Sequence, residues 1–250
     1  MNTMLETYRQ IWEGKPSLRA VYGDLFSRIT TYCRPGRTLE IGGGAGNLRS
    51  MLDDVISTDI QFAPWLDAVA DAEALPFQTA SITNIVMFDV LHHIPRPARF
   101  LAEAERVLAP GGRLVMIEPA ITPISWLVLR LTHPEPVIMS ADPLALAPLS
   151  RDDDPYDANQ AIPTLLFRKP KGMAAFQQAF PGLRLHEAKL LSLFAYPLSG
   201  GFKKWSLLPL GLVPTLIRIE DFLLPWLGPL MAFRIVVAIE KRSGMAHVSD

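Results

Sequence analysis

Thr38-Leu39-Glu40-Ile41-Gly42-Gly43-Gly44-Ala45-Gly46-Asn47-Leu48 is the stretch on which the reading of the fold turns. A short apolar run, 38–42, is stopped by glycines, and the segment beyond Asn47 reads as the start of a helix. Glycine suits such a loop because it reaches backbone conformations closed to other residues and leaves no Cβ in a ligand's way. The dinucleotide pattern G-x-G-x-x-G would need glycine at 42, 44 and 47, and position 47 is Asn47. The pattern is instead Glu40-x-Gly42-x-Gly44-x-Gly46, which argues against a nicotinamide dehydrogenase.

Outward from this loop, strand-like and helix-like segments alternate, as in an α/β fold with a mostly parallel sheet. Strands are expected at 54–60 and, more weakly, 67–72. The stretch 82–90 (ITNIVMFDV) is almost continuously apolar, as a strand covered on both faces should be. Another strand, 113–118, follows the Pro110-Gly111-Gly112 turn signal, and 184–192 and 233–241 are read as closing strands. Helices are expected at 17–32, around Phe100, Leu101, Ala104, Val107 and Leu108, and at 121–131. Of the 22 prolines, 15 lie after residue 118, and there the periodic signals weaken. The region 202–230 is expected to be broken by proline into short helices.

The chain has 250 residues, 49% of them hydrophobic, so it can bury a sizeable core and global disorder is excluded. A net charge of −1 lacks the basic footprint of a protein built to hold nucleic acid. A single cysteine, Cys33, excludes an internal disulfide or a cysteine-based zinc site and fits a reducing compartment. The opening MNTMLETYRQ carries Glu6 and Arg9 where a signal peptide would be apolar, so a cytoplasmic protein is expected. Asp152, Asp153, Asp154 and Asp157 do not match the calcium-loop pattern, because its glycine is missing and Pro155 interrupts. They are read as a solvated loop, and no metal site is expected.

The glycine loop is followed, in order, by Asp59, by Asp71-Ala72-Glu73-Ala74-Leu75-Pro76-Phe77, by Phe88-Asp89-Val90-Leu91-His92-His93-Ile94, and by Arg106-Val107-Leu108-Ala109-Pro110-Gly111-Gly112. This series resembles the class I S-adenosylmethionine-dependent methyltransferases, in particular the small-molecule subgroup related to ubiquinone-biosynthesis C-methyltransferases. The resemblance covers roughly residues 37–119, read as the cofactor-binding core of a single domain. It implies a doubly wound, mostly parallel, seven-stranded Rossmann-like sheet with an antiparallel C-terminal strand. The helical insertions at 121–183 and 202–230 would then lie on the substrate side.

The resemblance implies S-adenosyl-L-methionine as cofactor, held by Glu40, Gly42, Gly43, Gly44, Gly46, Asn47, Asp59, Ile60, Asp71, Ala72, Phe88, Asp89 and Val90. Ionised Asp59 would accept from both ribose hydroxyls, as an acceptor-only group can. Asp71 and the Ala72 amide would take the adenine, and Glu40 would support the methionine end. Asp71 could equally cap a turn.

Methyl transfer from a sulfonium is a direct displacement, so alignment supplies much of the rate. An acceptor hydroxyl would also lose a proton, and His93 or His92, at the mouth of the fourth strand, could take it. Packing and loop bonding are the plainer uses of both histidines. Glu118, His133, Trp205 and Trp226 are further substrate-side candidates, with Glu135 beside His133. The expected reaction is methyl transfer to a small or lipid-like acceptor, at oxygen in preference to carbon or nitrogen. The alternative is a catalytically silent binding or scaffold protein on the same fold. The apolar, aromatic segment 205–230, with Lys203 and Lys204 at its entrance, is read either as ordinary core or as a peripheral contact with the inner face of a membrane.

Overall fold

The computed structural model describes residues 3–52, 54–145 and 158–244. The aspartates at 152–154 and 157 lie outside them. Strands β1 (Thr38–Ile41), β2 (Val55–Asp59), β3 (Ala68–Val69), β4 (Ile82–Phe88), β5 (Leu108–Pro119), β6 (Leu183–Leu191) and β7 (Arg234–Lys241) form one sheet. Its order is β3-β2-β1-β4-β5-β7-β6. Pairing is parallel from β3 through to β5, and β7 runs antiparallel to both β5 and β6. The helices are α1 (Thr3–Gly14), α2 (Pro16–Thr30), α3 (Pro97–Val107), α4 (Pro123–Thr132), α5 (Ile162–Phe167), α6 (Pro170–Ala179), α7 (Ala195–Ser199) and α8 (Val213–Met231).

Both faces of the sheet are covered, and the central strands show it residue by residue. In β5, Leu114 and Met116 pack with Phe100, Leu101 and Phe167, while Val115 and Ile117 pack with Val21, Leu25 and Ile29 of α2. That alternation is the two-residue period of a strand buried on both sides. Pro16 and Pro97 stand in the first turns of α2 and α3, where a missing amide costs nothing. Each fully buried Leu, Ile or Phe contributes roughly 1.5–3 kcal/mol, so these two helices are fixed by the sheet.

β1 is flanked by β2 on one side and β4 on the other, and the sheet reverses its order there. Open α/β sheets hold ligands outside the carboxyl ends of strands at such a point. The glycine loop after β1 and the segment Asp89–His93 after β4 therefore flank one crevice.

Three expectations need correction. No α-helix follows the glycine loop; a single 3-10 turn, Leu48–Ser50, does, because few residues separate the loop from β2. β3 shrinks to two exposed residues. Segment 213–231 is one helix of 19 residues, despite Pro225 and Pro229 inside it. Both prolines sit on the exposed side, four residues apart, so the carbonyls they leave without a donor can turn to water. The opposite side buries Glu220, Leu224 and Gly228, and packing there outweighs propensity.

Glu220 also ties α8 to α7. Its Oε1 accepts from the amides of Leu193 (3.0 Å), Phe194 and Ala195. Glu220→Leu removes that acceptor from all three, at about 1–3 kcal/mol for each buried group left unsatisfied. Urea denaturation should show a loss of about 3 kcal/mol or more; a loss below about 0.5 kcal/mol would show that the helix is held by apolar packing alone.

Candidate functional site

The crevice is a cavity of about 1060 Å³, running from the glycine loop to the start of β7. Gly42 has φ +71°, and a Cβ there would meet Val90 Cγ2 at 2.2 Å. Gly44 has φ +45° and lies on the cavity wall, where a Cβ would meet nothing closer than 3.8 Å. The first glycine is needed for packing, and the second keeps the crevice open. Trp65 Nε1 donates to Gly44 O at 2.7 Å and holds the loop from outside.

The acidic residues around this end differ in freedom. Asp59 Oδ2 accepts from Gly44 N (3.0 Å) and Oδ1 from Gln61 N (2.9 Å), which orients the carboxylate and leaves each oxygen a second lone pair. Asp71 Oδ1 caps the local turn by accepting from Glu73 N at 2.8 Å. Glu40 is buried, with Ser57 Oγ donating to it. Burial pushes its carboxyl up to about 7, against the pull of Ser57 and Arg49.

Loop 71–77 is pinned by α3 and the turn before it. Arg106 donates to Phe77 O (2.7 Å) and Leu75 O (2.9 Å), and Glu103 accepts from Leu75 N (2.8 Å). Arg96 grips Glu73 through its Nε (2.6 Å) and its backbone amide (2.7 Å).

The far end has an aromatic wall and a polar wall. Tyr22 stacks on Phe88 at 4.7 Å, with Phe26, Tyr196 and Phe202 completing the aromatic side. Arg234, the first residue of β7, ion-pairs with Asp89 and lies 3.9 Å from the centre of the Tyr196 ring. On the polar side, His92 Nδ1 is 2.7 Å from Glu118 Oε2 and its Nε2 is 3.4 Å from Glu135 Oε2. Burial would lower the His92 pKa, but bonds to Glu118 and Glu135 outweigh it and raise it to about 10. Glu135 is pulled down to about 2: burial opposes this, and the His92 bond and charge prevail. Burial, helped by the His92 charge, lowers the His93 pKa from its ordinary value. Gln160 Nε2 donates to His133 Nδ1 (2.8 Å) and Glu135 Oε2 (2.9 Å), fastening the Pro-rich turn.

The cavity lining includes Glu40, Gly42, Gly43, Gly44, Asn47, Asp59, Ile60, Asp71, Ala72, Phe88, Asp89, Val90, His92, His93, His133 and Trp205. Gly46, Glu118 and Trp226 lie outside it. Gly46 (φ +76°) instead packs on Trp65. Glu118 is fully buried, with Oε1 taking the amides of Val90 (2.9 Å) and Leu91 (2.8 Å), so it positions a wall and does not line the cavity. Trp226 is 65% exposed on the outer side of α8. Both ring nitrogens of His92 face carboxylates, Glu118 and Glu135, which favours the protonated ring over a free base.

Sequence reasoning missed Arg234, Gln160 and the covering helix α1. Leu5 and Tyr8 of α1 line the cavity, and Lys15 Nζ donates to Gly201 O (2.7 Å) and Lys203 O (2.8 Å), fastening α1 to the 200–205 turn. Arg234 had a visible signal: a cation opening a strand that is apolar from Ile235 to Ile239.

Residues 39–116 match the methyltransferase domain family. A ubiquinone/menaquinone biosynthesis C-methyltransferase of Methylobacterium nodulans is 33% identical over 107 residues, covering 34% of this chain and 42% of that protein. A phthiotriol/phenolphthiotriol dimycocerosates methyltransferase of Mycobacterium ulcerans is 36% identical over 97 residues, covering 32% of this chain and 36% of that protein. The chain thus spans less than half the length of these curated relatives. Among solved structures, a geranyl diphosphate C-methyltransferase from Streptomyces coelicolor, in complex with Mg2+, geranyl diphosphate and S-adenosyl-L-homocysteine, superposes with a TM-score of 0.53. Identity is 15%, over 88% of this chain and 78% of that one. A SAM-dependent methyltransferase from Archaeoglobus fulgidus gives a TM-score of 0.53 at 12% identity, over 89% and 94% of the two chains. Residues 39–116 match the methyltransferase domain family, and the chain has the fold of class I S-adenosylmethionine-dependent methyltransferases.

Proposed function

We propose that this protein transfers the methyl group of S-adenosyl-L-methionine to an oxygen of a small, lipid-like acceptor. The observation that carries the reading is the single cavity joining the glycine loop to an aromatic and histidine-lined chamber. Its residues fit the cofactor: Gly44 leaves room that a Cβ would fill, and Asp59 keeps lone pairs for ribose hydroxyls. Asp71 retains one oxygen, beside Ala72, for the adenine, and Glu40 stands near the methionine end. When bound, the cofactor supplies an electrophilic methyl on a sulfonium. The chain's own part is to align an acceptor with it and to exclude water, which α1 and the 200–205 turn are placed to do.

An apolar acceptor is supported by the aromatic wall and by what surrounds the mouth. Trp205 lines the cavity and is 46% exposed, while Lys203 reaches across to Thr132 O at 3.2 Å. Ile219, Phe222, Trp226 and Leu230 form an exposed stripe along α8, and Leu127 and Leu131 are exposed on α4. No described helix is long and apolar enough to cross a membrane. These elements, with segments 121–183 and 202–230 as the acceptor-side cover, suit a surface that takes a lipid-like molecule from a membrane interface.

Three measurements test this. Asp59→Ala and Gly44→Val should each weaken S-adenosylmethionine binding by at least about tenfold in calorimetry, the first through lost charged hydrogen bonds. Valine at φ +45° is also strained and fills the cradle. Unchanged affinity in both would overturn the cofactor placement. Between pH 6 and 7, affinity should rise as Glu40, poised at about 7, gives up its proton and gains a charge to offer the cofactor's ammonium. Glu40→Gln should flatten that rise. In flotation with anionic liposomes, the wild type should rise with the vesicles and Lys203→Glu/Lys204→Glu should stay behind. No liposome association, together with full activity on a water-soluble acceptor, would remove the membrane from the reading.

A further inference from the structure

The polar wall holds more ligating chemistry than the alignment of a sulfonium requires. One donor atom each from His92, His93 and Glu135 lies within 4.8 Å of the other two. His92 Nε2 is 3.4 Å from Glu135 Oε2, and His93 Nε2 is 3.9 Å from Glu135 Oε1. A cation with bonds of about 2.1 Å at tetrahedral angles spaces its donor atoms roughly 3.4 Å apart. The His92 pair has that spacing to Oε2, the His93 pair is wider and runs to Oε1, and the three donors together must draw in from within 4.8 Å to close on an ion.

The surroundings are those of a ligand set. Glu118 holds His92 Nδ1 at 2.7 Å and so aims Nε2 at the cluster, and Glu118 is itself fixed by two backbone amides. Carboxylate-oriented imidazoles of this kind support metal ions in proteins. Gln160 steadies Glu135 in the same way, at 2.9 Å.

A divalent cation held there would take lone pairs of both imidazoles and face the carboxylate of Glu135.

We infer that His92, His93 and Glu135 form a binding site for a divalent transition-metal cation of the zinc, iron or cobalt class, facing the acceptor end of the cavity. Two imidazoles and one carboxylate suit these borderline ions better than magnesium or calcium. Three protein ligands leave a coordination position for an oxygen of the acceptor, whose bound hydroxyl would ionise more readily. The oxygen's electron pair forms the new O–CH3 bond as the CH3–S bond breaks, the sulfur keeps that pair and leaves as the neutral thioether S-adenosylhomocysteine, and the hydroxyl proton leaves to water through the cleft. His93 then serves as a ligand instead of a base. The inference deepens the acceptor half of the proposed function and can fail alone.

The test uses the full chain, stripped of metal by a chelator and then titrated with Co2+, with Zn2+ as competitor. One Co2+ per chain is expected, with the visible absorption of a low-coordinate nitrogen and oxygen site, abolished by one equivalent of Zn2+. Glu135→Gln and His93→Phe should each weaken Co2+ binding by at least about tenfold, the least that losing a ligand should cost when outer partners alone cost 10–100-fold. Circular dichroism and S-adenosylhomocysteine binding identify variants that have kept their fold, and either folded variant suffices. A wild type that binds S-adenosylhomocysteine but takes up no Co2+ overturns the metal site and leaves the cofactor reading standing. Co2+ bound equally by a folded variant overturns it as well. Co2+ uptake without S-adenosylhomocysteine binding supports the metal site and overturns the cofactor reading.

Discussion

β1 pairs in parallel with two strands at once, Leu39 facing Ile56 of β2 on one side and Ile85 of β4 on the other. The rest of the molecule depends on that double pairing. It places the loops after β1 and β4 on opposite sides of one gap, with no strand between them to fill it. The sheet must be covered on both faces to be stable, but its carboxyl edge at this gap cannot be. The cavity is therefore a consequence of strand order. Gly42, packed against Val90, sets how closely the two loops can approach.

The edge of the cavity is unusually rich in buried charge, and each charge has a stated partner. Glu118 takes two amides and an imidazole, Glu73 takes the Arg96 side chain and amide, and Arg234 takes Asp89. Buried ion pairs of this kind add little net stability compared with apolar packing. Their effect is positional: they fix loops 71–77, 89–93 and 133–136, which have no sheet of their own. The turn at 133–136 depends on Asn159 and Gln160, whose backbone amides donate to His92 O (2.9 Å) and Pro136 O (3.1 Å).

The cover over the cavity is built differently from its base. α1 and the 200–205 turn meet through Lys15 and through Tyr8 against Phe202 at 5.1 Å, and Arg9 of α1 lies over the Trp65 ring at 4.6 Å.

The glycine-loop end of the cavity was legible in the sequence because it is local. A strand, a glycine loop and a terminal acid are neighbours along the chain, and Gly42, Gly44, Asp59 and Asp71 stand together because consecutive parallel strands end on the same edge. The two-residue and helical periods likewise announced β4 and α3, since burial imposes them directly. The far end of the cavity was not legible, because it joins distant segments: Tyr22, His93, Glu135, Gln160 and Arg234 share no motif. Whether His92 is a base or a held cation depends on Glu118 and Glu135, 26 and 43 residues away, and only the folded chain brings those carboxylates to its ring. The prolines of α8 misled for the same reason. Propensity is a property of the segment, but the contacts that keep α8 whole, Glu220 on three amides and Gly228 on Leu190, belong to the tertiary structure.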